Sequence, residues 1–75
     1  MDAQIAVTTV FREVLNLPTI DPSAGFLDLG GHSLLAVQVI ALLRERYGLR
    51  VSTLQFLENA SASAVAASSQ PLEGN

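Results

Sequence analysis

The chain has 75 residues, 49% of them hydrophobic, and a formal net charge of −3. That length allows one small domain with a single core and modest stability, while the lack of cysteine and the single histidine exclude disulfides, thiolate nucleophiles and a structural metal site. Its only basic residues are four arginines, and 5% of its residues are aromatic, so there is neither a cationic stripe nor a stacking platform for nucleic acid, and a basic partner is favoured instead.

Met1-Asp2-Ala3-Gln4 lacks the positive region of a signal peptide, and the longest apolar run, Leu34 to Leu43, is broken by Gln38 and too short to cross a bilayer. A soluble, cytoplasmic protein with no membrane partner is expected. Val7, Val10, Phe11, Val14 and Leu15 follow the i, i+3, i+4, i+7, i+8 pattern, with Gln4, Thr8 and Arg12 opposite, which predicts an amphipathic helix over Ala3 to Asn16. Asp2 is placed to cap its start, and Leu17-Pro18 to end it.

Leu17 to His32 holds Pro18, Pro22, Gly25, Gly30 and Gly31 and shows no sustained period, so it reads as a loop. It is long for so small a domain, which implies work of its own. Ile20, Phe26 and Leu29 are spaced through it as apolar anchors, and Asp21-Pro22-Ser23 suits a turn.

A second helix is predicted over Ser33 to Tyr47, closed by Gly48 in a left-handed conformation and carrying Arg44 and Arg46 at the end the helix dipole favours. Leu35, Ala36, Val39, Ile40, Leu43 and Tyr47 fall on one broad apolar face and are the predicted core. Leu34, Val37 and Ala41 fall on the other side, the side of Ser33, and form a small apolar ledge suited to a docking partner unless a later helix covers it. Ser52 to Asn59 predicts a short helix with Leu54, Phe56 and Leu57. Ser61 suits an N-cap for a last helix over Ala62 to Ser69, whose few large apolar residues predict weak packing and fraying. Residues 1–69 then make the domain, and a disordered tail is expected over 70–75.

The stretch that singles itself out is Asp28-Leu29-Gly30-Gly31-His32-Ser33-Leu34-Leu35-Ala36. A serine where a helix begins can cap it, or it can hold out a hydroxyl for modification beside N–H groups suited to an anion. The glycines allow close approach to that hydroxyl. Asp28 is placed to bond loop N–H groups and fix the turn into the glycines. His32 is an unpromising general base, because neighbouring residues at a helix start do not readily bring imidazole onto the hydroxyl.

This stretch resembles the attachment motif of carrier proteins, specifically the peptidyl carrier (thiolation) domains of nonribosomal peptide synthetases, and the likeness extends along nearly the whole chain. Acyl carriers of polyketide or lipid assembly share the topology but usually have Asp before the serine and a more acidic second helix. Here His32 precedes Ser33, and Arg44 and Arg46 follow. Late in the chain, Phe56-Leu57 and Ala60-Ser61 stand where the family often shows Leu-Phe and Pro-Thr.

The resemblance implies an all-α, four-helix carrier bundle, three main helices plus one short one, with a long first loop. It implies a monomeric carrier without catalytic activity of its own, holding amino- or aryl-acyl groups as thioesters on a 4′-phosphopantetheine arm. It places the arm on Ser33. Gly31 and His32 are expected beside the arm, and Leu34, Val37, Phe26 and Leu54 are the expected partner contacts, although Phe26 and Leu29 are more often core anchors than docking residues. The implied partners are a phosphopantetheinyl transferase using coenzyme A, an adenylation enzyme, and condensation, tailoring or thioesterase partners. Rival readings are an acyl carrier, a helical interaction module in which Ser33 is only a cap, and a small serine hydrolase. Met1 close to the first helix favours a free-standing carrier.

Overall fold

The computed structural model describes residues 2–71. Its elements are α1 (Ala3–Leu15), α2 (Ser33–Tyr47), β1 (Leu49–Arg50), α3 (Thr53–Leu57), α4 (Ala62–Ser68) and β2 (Gln70–Pro71). The four helices form the bundle expected, with one addition: β1 and β2 pair antiparallel, Leu49 opposite Pro71 and Arg50 opposite Gln70. Gln70 and Pro71, placed in the tail from sequence, are thus held against the domain. The remainder of that tail, 72–75, lies outside the described residues.

Asp2 caps α1 by accepting from the Gln4 N–H at 2.9 Å. The helix ends one residue earlier than predicted because Asn16 itself turns left-handed, with φ 59°. The α2 boundaries match the prediction, with Gly48 at φ 62° closing it. α3 is shorter than predicted at both ends: Ser52 is extended at the cap position, and past the other end Asn59 takes φ 64° and breaks the helical run. Ser61 caps α4 by accepting from the Ala64 N–H at 3.1 Å.

The core is built from one face of α1 (Val7, Val10, Phe11), the predicted face of α2 (Ala36, Val39, Leu43), and Phe26, Phe56, Ala62 and Val65. α1 packs against both α2 and α4. The expectation that α4 packs weakly needs correcting. Its alanines let it approach closely enough that Ala62 and Val65 are completely buried. Across the surface, Arg46 Nη1 meets Glu13 Oε1 at 2.7 Å with both side chains about half exposed. Solvent screening leaves such an exposed pair a minor contributor to stability.

The long loop is fastened along its length. The Asp21 carboxylate accepts from the Ser23 N–H at 2.9 Å and the Ser23 hydroxyl at 2.7 Å. Beyond that turn the Ser63 N–H donates to Pro22 O at 3.0 Å, and the Phe26 N–H to Ala60 O at 2.9 Å. The two bonds from Ser23, the backbone one foremost, hold the Asp21 carboxyl below its ordinary pKa. A carboxyl lowered by folding stabilises the fold above its unfolded pKa and loses that contribution as pH falls through the lower, folded value. The difference in thermal midpoint between wild type and Asp21→Asn is therefore expected to be constant near neutrality and to shrink on acidification below 3.8. Because Asp21 is exposed the effect is small, and a pH-independent difference would count against it.

Candidate functional site

Ser33 is exposed and is the first residue inside α2, not its cap. The cap position belongs to His32, whose backbone is extended (φ −154°, ψ 179°) and whose side chain makes no capping bond. The first intrahelical bond near the start runs from the Ala36 N–H to His32 O at 2.9 Å. The N–H groups of Ser33, Leu34 and Leu35 therefore have no helical acceptor, as at any helix start. Among the described residues the Ser33 hydroxyl forms no hydrogen bond, to His32 or to anything else. Of the two readings left open by the sequence, capping is thereby removed.

What aims Ser33 is the turn before it. The Leu29 N–H donates to Gly25 O (3.0 Å), the Gly30 N–H to Leu27 O (3.1 Å) and the Gly31 N–H to Phe26 O (3.0 Å), winding the chain tightly over Phe26. Gly30 takes φ 101°, a conformation a side chain would strain. Gly31 lies directly on the Phe26 ring, and a Cβ there would collide with it. Gly31 thus fits the turn to the core, whatever it does toward an arm.

Phe26 was read both as an apolar anchor of the loop and as part of the partner surface. It is the anchor, and its place on the partner surface is corrected, since it is 0% exposed. Its ring stacks edge-on to Phe11 and Phe56, with centroids 5.3 and 5.0 Å away. In a domain this small the loop has to contribute a large side chain to the core, and Phe26 is that contribution. The other three expected contacts are free: Leu34 is 63% exposed, Val37 58% and Leu54 59%. Ala41, also assigned to the ledge, is half-buried.

Beside Ser33 opens a cleft of about 270 Å³, in which Gly31, His32 and Ser33 come together with Leu27 and Leu57 over a floor that includes Phe56. Leu34, Val37 and Leu54 do not line it. Leu27 and Leu57, 43% and 55% exposed, belong to the site's surroundings and were not assigned to it from sequence. The leucine at 57 carried a signal in retrospect, since Phe56 and Leu57 cannot both face inward from so short a helix.

Asp28 behaves differently from expectation. Its carboxylate receives no loop N–H. Instead Asn59, beyond α3, reaches back: Asn59 Oδ1 accepts from the Leu27 N–H at 2.8 Å and the Asp28 N–H at 3.3 Å, and Asn59 Nδ2 donates to Asp28 Oδ2 at 3.0 Å. The only sequence hint was an asparagine just past a short helix, a residue that tolerates the left-handed region.

This arrangement suits attachment of a phosphodiester. A hydroxyl committed to no internal bond is reachable from solvent, and the unpaired N–H groups and dipole of a 15-residue helix favour a negative charge beside it. Among the described residues no group of three or more His, Cys, Asp or Glu side chains is placed to hold a metal ion. Nor does any helix among them have the length and apolarity to cross a membrane.

Comparison with known proteins agrees with the geometry. The family model described as "Phosphopantetheine attachment site" matches residues 6–68. A dimodular nonribosomal peptide synthase of Bacillus subtilis is 51% identical over 43 residues, covering 57% of this chain and 2% of that protein. Malpinin synthetase of Mortierella alpina is 42% identical over 65 residues, covering 87% of this chain and 1% of the relative. The chain thus spans only 1% to 2% of the length of these relatives. A solved structure described as a non-ribosomal PCP domain superposes with a TM-score of 0.86 at 29% identity, covering 97% of this chain and 94% of the other.

Proposed function

The chain belongs to the phosphopantetheine attachment site family, and from that premise we propose that Ser33 is the residue that carries the arm. The chain is a carrier domain of the peptidyl type, and its cofactor is 4′-phosphopantetheine, covalently held. The observation that supports Ser33 is its place: an exposed, unbonded hydroxyl at the first position of α2, behind a turn moulded by Gly30 and Gly31.

In the attachment step Ser33 Oγ forms a bond to the phosphorus of coenzyme A nearest the pantetheine. The bond from that phosphorus to the bridging oxygen breaks, adenosine bisphosphate leaves with the electron pair, and the hydroxyl proton passes to a base on a phosphopantetheinyl transferase. The resulting phosphodiester sits where the α2 dipole favours it by about 0.3–1 kcal/mol. The arm supplies the thiol that this cysteine-free chain lacks, so amino- or aryl-acyl groups can be held as thioesters. Tethering raises the effective concentration of that cargo at each partner site.

The chain itself acts as a carrier and not as an enzyme, a reading supported by a Ser33 hydroxyl to which no base is bonded among the described residues. Its partners are the transferase, an adenylation enzyme, and condensation, tailoring or thioesterase domains, in the cytoplasm. Leu34, Val37 and Leu54 offer them apolar contacts. Leu34→Asp combined with Val37→Asp is expected to leave the thermal midpoint nearly unchanged, as solvent-facing substitutions do, while slowing transferase loading about tenfold, equivalent to about 1.4 kcal/mol of lost contact energy. Unchanged loading would remove these residues from the transferase surface.

The test of the central reading is intact-mass measurement. Incubation of the folded protein with coenzyme A and a broad-specificity transferase is expected to add one phosphopantetheine and no more. Absence of any gain would refute it.

A further inference from the structure

We propose that Asn59 is a positioning residue for the modification of Ser33, holding the approach to α2 in the shape that the modifying enzyme recognises. The proposal rests on the attachment reading of Ser33 and adds the residue that fixes its presentation. Among the described residues nothing on Ser33 itself fixes it, since its hydroxyl is unbonded and the His32 side chain makes no capping bond. Its placement depends on the turn from Gly25 to Gly31, and that turn is gripped by one side chain from outside the loop.

Asn59 uses its whole amide. The oxygen takes two consecutive backbone N–H groups, from Leu27 and Asp28, and the nitrogen donates to the Asp28 carboxylate. The bonds join residues 31 and 32 positions apart, so they tie the turn to the segment behind α3 and not merely to itself. Asn59 is held in turn: its backbone is left-handed at φ 64°, its N–H donates to Phe56 O at 3.2 Å, and the next N–H, of Ala60, donates to Gln55 O at 3.0 Å. Gly25 completes the fit, because a Cβ there would run into the Asn59 amide. The set of bonds is specific to an amide. A carboxylate at this position keeps the two acceptor bonds but faces Asp28 with like charge, and glycine keeps the backbone conformation while losing all three bonds.

The experiment compares transferase loading of wild type, Asn59→Gly, Asn59→Asp, the double variant Asn59→Asp/Asp28→Asn, and Val65→Ala, each confirmed folded by circular dichroism at the assay temperature. Val65→Ala is the stability control, since it removes buried methyl groups from α4 and leaves the residues and hydrogen bonds of the turn unaltered in sequence. Both single Asn59 variants are expected to lose roughly tenfold to a hundredfold in kcat/KM for coenzyme A-dependent loading, the scale on which small misplacements of a reacting group act. Val65→Ala is expected to load like wild type despite its lower melting temperature. The double variant restores a donor–acceptor pair between positions 59 and 28 and is expected to recover most of the loss. Loading of Asn59→Gly at the wild-type rate, a loss in Val65→Ala as large as in Asn59→Gly, or no recovery in the double variant would each overturn the positioning role. Failure of wild type to load would instead overturn the attachment reading on which that role depends.

Discussion

Phe26→Ala is expected to lower the thermal midpoint by about 12 °C or more, taking 3–5 kcal/mol for a buried Phe→Ala change and about 4 °C per kcal/mol as the smallest shift for a domain of this size. A domain below about 80 residues rarely holds more than about 3–5 kcal/mol in total, so the variant is expected to be largely unfolded at room temperature. The physical reason is that three phenyl rings carry much of the core. Phe11 comes from α1, Phe26 from the loop and Phe56 from α3, with centroids 5.0 to 5.9 Å apart. Such pairs add about 0.5–1.5 kcal/mol each beyond the apolar area they bury. Phe26 is also the one large side chain of the loop that is completely buried, with Ile20 and Leu29 only partly so. Truncating it opens a cavity and at the same time frees the turn wound over it. Circular dichroism melting is the measurement, and a midpoint equal to that of wild type would show that the loop does not depend on this ring.

Ser33→Ala is expected to abolish the gain of phosphopantetheine while leaving the fold nearly untouched. Loss of modification follows from removal of the only atom that can form the phosphoester at that position. The small effect on stability follows from geometry. Had Ser33 been the cap of α2, its replacement by alanine would cost about 1 kcal/mol. As the first helical residue, with an unbonded hydroxyl, it is expected to cost less than about 0.5 kcal/mol. Intact mass and a melting curve on the same sample therefore test two statements independently. A retained mass gain would move the arm to another residue, and a drop in midpoint of about 4–8 °C, the shift for about 1 kcal/mol, would restore the capping role.

Much of this protein was legible in its residues, and the legible part has a common physical character. The α1 stripe of Val7, Val10 and Phe11, the α2 core face of Ala36, Val39 and Leu43, and the caps at Asp2 and Ser61 are all local in sequence. Helical periodicity and capping act over a few residues, so a single chain displays them. The motif around Ser33 was legible for a related reason, because its glycines and serine are consecutive. The exposure of Leu34 and Val37 also followed from angle around a helix, once no later helix covered them.

What the sequence could not determine depends on residues that meet across long stretches of chain. Whether Phe26 faced a partner or the core was decided by Phe11 and Phe56, which close on it from two other elements. The pairing of Leu49–Arg50 with Gln70–Pro71 joins two segments of two residues each, too short to carry any periodicity. Asp28 was read correctly as part of the turn but with the wrong partner, because its partner, Asn59, lies 31 positions away. Sequence alone named Ser33 and the helix behind it. Only the tertiary structure showed that Ser33 is not a cap, and that the turn before it is wound over the Phe26 ring and bonded by the Asn59 amide from behind α3.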